Sequence, residues 1–259
     1  MDKFSIQSPG AQRTVIEPQD RIAIVGKTGS GKTTFAMLLA ALWARSLPAP
    51  WQVWWLDTKG DKKDIAALRA WGFRNALDPK DLATTKIPHA RYWAIRAAKN
   101  APSIWQQAQV VMRLAYETGK VIVVVDEYTQ VVPSNRSTGG ALRDIFTRGR
   151  GLDVGIIGLT QEPVYVPRLL LSQATHQVLF TVTYQYDVDY LRKMYRGYRE
   201  PIKLGDKHGF WWKWVDGHGE LVYYRNQQAW YESLYIGLPK SARSELPETP
   251  AGLKRGSNG

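Results

Sequence analysis

RIAIVGKTGSGKTTFAMLLAALWARSL, residues 21–47, decides the fold. It opens on RIAIV (21–25), a short apolar and β-branched run that stops at Gly26 and reads as a buried strand. It closes on TFAMLLAALWARSL (34–47), an apolar stretch long enough for a helix. Between them, GKTGSGKT (26–33) matches G-x-x-x-x-G-K-[ST] at every fixed position. Glycines in such a loop let backbone N–H groups curl around the β- and γ-phosphates of a nucleotide, and the helix N-terminus adds a favourable dipole. Gly26, Lys27, Thr28, Gly29, Ser30, Gly31, Lys32, Thr33 and Thr34 are therefore the expected phosphate site. Within it, Lys32 places an ammonium on the β/γ oxygens and Thr33 offers its hydroxyl to Mg²⁺.

A second segment answers to this one. VIVVVDEY (121–128) carries five consecutive apolar residues without alternation, which signals burial on both faces, as in a parallel sheet covered by helices. Its end delivers Asp126 to the Mg²⁺ shell and Glu127 to a place from which an attacking water can be oriented. Adjacent side chains at a strand end normally diverge, so the loop after Val125 has to turn both inward.

Further strands are expected at QVWWLD (52–57), RYWAI (91–95), VGIIGLTQ (154–161) and HQVLFTV (176–182). Helical patterns run from Lys63 to Trp71, over SIWQQAQVVMRLAYETG (103–119) with Pro102 in the first turn, and over GALRDIFTRGRG (140–151). This alternation predicts an α/β fold, a doubly wound, mostly parallel sheet. Residues 1–20 read as an N-terminal arm or short edge strand, 21–182 as the core, 183–239 as an extension and 240–259 as a flexible tail. The extension holds a basic helix in DVDYLRKMYRGYREP (187–201) and a hairpin in GFWWKWVDGHGELVYYR (209–225) turning at Asp216-Gly217-His218-Gly219.

Composition narrows the chemistry. The 259 residues hold 35 Lys and Arg against 23 Asp and Glu, and the resulting +12 favours a polyanionic partner. There is no cysteine, which excludes disulfides, thiolate nucleophiles and cysteine-bound zinc. The histidines at 89, 176, 208 and 218 lack metal-ligand spacing and read as structural or surface residues. No run approaches the roughly 18 apolar residues of a membrane span, and the N-terminus has no signal-peptide stretch. A cytosolic compartment is the expectation, which makes the Asn135-Arg136-Ser137 sequon a chance match. Trp211, Trp212 and Trp214 crowd one hairpin with Lys213, as a packed aromatic cluster, a subunit interface or a surface for stacking on bases. Arg192, Lys193, Arg196, Arg199 and Lys203 are candidates for phosphate contact.

The P-loop and VIVVVDE, taken with LDTKGD (56–61), TRGRG (147–151) and IIGLTQ (156–161), resemble the FtsK/HerA superfamily of ring-forming, DNA-pumping ATPases. The resemblance covers roughly residues 20–185. It implies a RecA-like additional-strand P-loop NTPase, here with a small aromatic C-terminal hairpin and helix appendage. It also implies ATP and Mg²⁺ as ligands, Glu127 as the catalytic glutamate and Gln161 as the γ-phosphate sensor. The arginine reaching into a neighbouring subunit's site would be Arg148 or Arg150, with Arg143 third. The compact core looks like the genome-packaging ATPases of viruses with an internal membrane. That likeness implies double-stranded DNA, a homo-oligomeric ring of five or six subunits, capsid vertex or portal partners, and action in the host cytoplasm or virion. Other readings are a filamentous-phage assembly or conjugation-type ATPase, a small-molecule kinase and a nucleotide-gated switch. A terminase large subunit ranks lower, because the acids after Thr183, such as Asp187, Asp189 and Asp206, are scattered.

Overall fold

The computed structural model describes residues 4–7, 13–75, 90–95, 102–132, 140–215 and 221–227. In chain order the strands are β1 (Phe4–Gln7), β2 (Arg13–Ile16), β3 (Arg21–Val25), β4 (Gln52–Asp57), β5 (Arg74–Asn75) and β6 (Ala90–Ala94). They continue with β7 (Val121–Val125), β8 (Val154–Thr160), β9 (His176–Leu179), β10 (Phe210–Trp214) and β11 (Leu221–Tyr224). The helices are α1 (Lys32–Ser46), α2 (Lys62–Ala70), α3 (Ile104–Thr118), α4 (Gly140–Arg148), α5 (Arg168–Ser172) and α6 (Gln185–Met194).

Among the described residues, β3 to β11 form one nine-stranded sheet in the order β11-β10-β9-β3-β8-β7-β4-β6-β5. The seven strands from β9 to β5 run parallel, while β10 and β11 are antiparallel. β1 and β2 pair separately. β8 lies between the P-loop strand β3 and the acid-bearing strand β7, which is the additional-strand arrangement. All five residues of β7 and all seven of β8 are buried, as continuous apolar runs require. Alternate residues feed two cores: α1 and α2 pack on the face bearing Ile122 and Val124, and α3 to α6 on the face bearing Val121, Val123 and Val125.

α1 is buried on nearly every side, because the sheet covers one flank and the aromatic hairpin another. Phe35 meets Phe180, Phe210 and Trp212 edge to face at centroid distances of 6.0, 5.1 and 5.7 Å. The hairpin is continuous with the sheet through β9, in the register Trp212↔Val178. Trp212 also donates to His176 Nδ1 at 3.2 Å, and His176 Nε2 faces Asp20 Oδ2 at 3.1 Å. This buried chain ties the hairpin to the segment entering β3. Burial pushes the Asp20 carboxyl up, but hydrogen bonds from His176, the Glu17 N–H and Thr175 bring it below the usual carboxylate value.

Two expectations are corrected. Pro102 lies outside α3, because Ser103 is the N-cap and forms a capping box with Gln106. The strand expected to run to Val182 ends at Leu179, and Thr181 instead accepts a hydrogen bond from the P-loop. The sequon at Asn135, His89, the turn at 216–219 and the tail at 240–259 lie outside the described residues. No helix among the described residues is long and apolar enough to cross a membrane.

Trp212 is 3% exposed within the main core. Trp212→Ala is therefore expected to cost about 3 to 5 kcal/mol in a single cooperative unfolding transition. A separate early transition that leaves the core intact would show the hairpin to be an independent unit.

Candidate nucleotide site

The loop between β3 and α1 is pinned to neighbouring strands at its first two residues. Gly26 N–H donates to Thr160 O at 3.0 Å, and Lys27 N–H to Thr181 O at 2.8 Å. A Cβ on Gly26 would lie 2.6 Å from both Phe180 Cβ and Ser30 Oγ, so only glycine fits. Gly31 has φ of +100° and serves as the N-cap of α1, a conformation that a side chain would strain. Beyond it the first N–H groups of the helix have no intrahelical partners, which leaves them available to an anion.

The P-loop residues Thr28, Gly29, Gly31, Lys32, Thr33 and Thr34 line a cleft of about 390 Å³ together with Lys59, Gly60, Asp61, Asp64 and Gln161. Lys32 is 4% exposed. Burial lowers its pKa, the neighbouring Lys59 charge lowers it further, and Glu127 and Asp126 oppose both. A polyphosphate entering the cleft would relieve the repulsion between the two ammoniums.

Asp126 and Glu127 leave the end of β7, and a short 3₁₀ turn at Tyr128–Gln130 redirects the chain there. Lys59 Nζ lies 3.3 Å from Asp126 Oδ1, 3.2 Å from Asp126 O and 3.7 Å from Glu127 Oε2. Asp57, at the end of β4, holds the loop bearing Lys59 by accepting from Lys59 N at 2.9 Å and Gly60 N at 2.8 Å. Tyr92 on β6 donates to the other Asp57 oxygen. Burial raises the Asp126 carboxyl, Lys59 opposes this by charge and hydrogen bond, and Asp57 adds like-charge repulsion.

Gln161, just past β8, connects the two motifs. Its Oε1 accepts from Thr28 Oγ1 at 2.8 Å, and its Nε2 donates to Glu127 Oε2 at 3.1 Å. Thr129 Oγ1 donates to Glu127 Oε1 at 3.1 Å, so both carboxylate oxygens are held. Thr33 and Asp126 offer the hard oxygen donors that Mg²⁺ prefers. The Lys59 ammonium against Asp126 shows that the position suits a cation.

Other sequence candidates fall elsewhere. Arg148 ends α4 and Arg150 sits in the turn Gly149–Leu152, both exposed and both ahead of β8. Gln161 lies past the far end of that seven-residue strand, about 20 Å away at strand rise. Neither arginine enters its own chain's cleft; Arg143 is likewise exposed on α4. Of the basic run, Arg192 and Lys203 pair with the buried Glu200 at 3.1 and 2.9 Å, and Lys193, Arg196 and Arg199 are exposed. Trp214 stacks on His176, and Trp211 packs on Tyr223.

Sequence reasoning missed Asp64 and Gln227 and took His208 for a structural or surface residue. Asp64 lies in the first turn of α2, whose N-cap Asp61 was the readable signal. His208 and Gln227 contact P-loop carbonyls from the C-terminal segment, Gln227 from 196 residues away, and no local pattern announces them.

A family model described as an AAA domain matches residues 11–154, more than half of the chain. No curated protein matches by sequence. Among solved structures, the genome packaging NTPase B204 of Sulfolobus turreted icosahedral virus 2 in complex with AMPPCP is similar at a TM-score of 0.60 and 12% identity, covering 81% of this chain and 99% of that one. Its ATP-gammaS complex gives 0.60 and 14%, covering 82% and 99%. The cytoplasmic domain of the Thermomonospora curvata type VII secretion ATPase EccC gives 0.50 and 13%, covering 85% of this chain and 26% of that one. At these identities the likeness is one of fold.

Asp64 supplies a pH test of the cleft. Burial, followed by the charges of Asp126 and Asp61, pushes its carboxyl up to about 6 against the pull of Lys59. The folded state thus keeps this proton longer than the unfolded chain, and stability falls as pH rises from about 4 to about 6. Asp64→Asn should remove that part of the decline in thermal unfolding of the nucleotide-free protein. An unchanged pH profile would place Asp64 away from the acidic cluster.

Proposed function

We propose, from the fact that this chain belongs to the AAA domain family of P-loop ATPases, that it is an ATP-driven motor moving double-stranded DNA, of the genome-packaging kind. The observation that carries the reading is the hydrogen-bonded link Thr28–Gln161–Glu127, which ties the phosphate loop to the acid that would act on water. Such a link registers whether a γ-phosphate is present and passes that state to β8. A fold shared over 99% of a genome packaging NTPase supports the reading, as does the +12 charge.

ATP enters with its phosphates against the N–H groups of the loop and the first turn of α1. Lys32 neutralises the β/γ oxygens, and Thr33 and Asp126 would hold Mg²⁺. When bound, that ion offsets charge gathering on the transferred phosphoryl group. Glu127, oriented by Gln161 and Thr129, aligns the attacking water and takes its proton. Lys59 has to leave the carboxylates as the cleft fills, and the γ-phosphate is the natural new partner for its ammonium.

Arg148 or Arg150 completes the site in a neighbouring subunit, since each lies at the sheet end opposite its own cleft. A closed ring of five or six copies satisfies this geometry. Lys193, Arg196 and Arg199 are the exposed cations offered to DNA phosphates, capsid vertex proteins are the expected docking partners, and the infected cell's cytoplasm is the expected site of action.

Steady-state ATP turnover tests this, measured at several protein concentrations with linear duplex DNA, with single-stranded DNA and with neither. Duplex DNA is expected to raise turnover several-fold and specific activity to rise with concentration. Arg148→Ala or Arg150→Ala should lower turnover by about 10³-fold, the effect of losing an arginine finger. Turnover indifferent to DNA and concentration would overturn the motor, and stimulation by single strands alone would favour the conjugation-type reading.

A further inference from the structure

We infer that His208 and Gln227 are positioning residues of the ATP site, a two-pronged clamp by which the C-terminal hairpin holds the outward carbonyls of the P-loop. The inference rests on the nucleotide-site reading and not on DNA movement.

A loop that aims successive N–H groups at an anion turns carbonyls the other way, and buried carbonyls need donors. Gln227 Nε2 donates to Gly31 O at 2.6 Å, adding to the Phe35 N–H bond that the same oxygen accepts at 2.9 Å. His208 Nδ1 lies 3.3 Å from Ser30 O, and facing a carbonyl it carries the proton. The two donors thus grip consecutive peptides immediately ahead of Lys32. Gln227 is 3% exposed, and an amide is buried at a cost unless it is bonded. A Cβ on Gly31 would fall 2.7 Å from Gln227 Nε2 and 3.5 Å from His208 Nδ1, so the clamp closes directly on this glycine.

The hairpin sets the spacing of the prongs. Phe210 on β10 pairs with Tyr224 on β11, and His208 precedes that pair as Gln227 follows it, so both project from the open end. Tyr223 closes the same end by donating to Asp206 Oδ2 at 2.7 Å. Phe210 packs on Phe35 in the first turn of α1, which joins the clamp, loop and helix into one body. A clamp of this kind preorganises the cradle for bound ATP and for the transition state alike. Its loss should therefore raise Kd and KM while leaving kcat nearly constant.

The experiment is equilibrium binding of a non-hydrolysable ATP analogue with Mg²⁺, run beside steady-state turnover, for the full chain and its variants. Gln227→Met keeps the volume and removes the donor, and it should weaken binding about fivefold to tenfold, the size of one hydrogen bond, with kcat within about twofold. His208→Ala should weaken binding about threefold, and His208→Asn, whose amide takes the place of Nδ1–H, should restore it. Native affinity in both Gln227→Met and His208→Ala, or a fall in kcat at unchanged affinity, overturns the clamp. If Gln227→Met does not fold, the His208→Ala and His208→Asn pair decides. A native chain that fails to bind the analogue overturns the nucleotide reading and the clamp with it.

Discussion

Opposite charges held in a buried cleft set the terms for the rest of this molecule. Lys32 and Lys59 face Asp126 and Glu127 where water is scarce, and every ammonium and carboxylate there is perturbed by burial or held by a partner. Isolated charges would be costly in such a place, so they have to be delivered together and oriented. A parallel sheet buried on both faces does this by ending β3, β4, β7 and β8 along one edge. Asp57 then fixes the Lys59 loop, Tyr92 fixes Asp57, and Gln161 fixes Glu127. The phosphates of a bound nucleotide would add negative charge beside Lys32 and Lys59.

The C-terminal segment belongs to this arrangement. Its aromatics fill the space beside α1, so a helix that is apolar nearly all round is buried on nearly every side. Its polar ends reach the P-loop carbonyls. The AAA domain match stops at residue 154, yet the residues beyond it supply Gln161, the anchor at Thr181 and both prongs of the clamp.

Much of this was legible in the sequence because it depends on local pattern. RIAIV followed by GKTGSGKT announces a strand, a phosphate loop and a helix, and the unbroken apolar run of VIVVV announces a doubly covered strand. Gln161 was picked out by the resemblance to the FtsK/HerA superfamily, not by the apolar run that precedes it. Contacts between distant segments were not: Gln227 reaches Gly31 across 196 residues, and its own neighbourhood shows no motif. Asp64 was hidden because one carboxylate on a short charged helix looks like any solvated face. Pro102 misled because proline suits the first helical turn, whereas Ser103 with Gln106 made the better cap. The tryptophan-rich hairpin read as an appendage because pattern alone does not reveal that its Trp212 would join the main core.

Glu127 is the proposed base for the water that splits ATP, and single-turnover hydrolysis by Glu127→Gln puts that role to the test. The amide keeps the shape and the hydrogen bonds to Gln161 and Thr129 within reach while removing the base. ATP binding should stay close to native while the hydrolysis rate falls by about 10²-fold or more. Hydrolysis at the native rate in this variant would contradict it and leave the held carboxylate as a structural feature of the cleft.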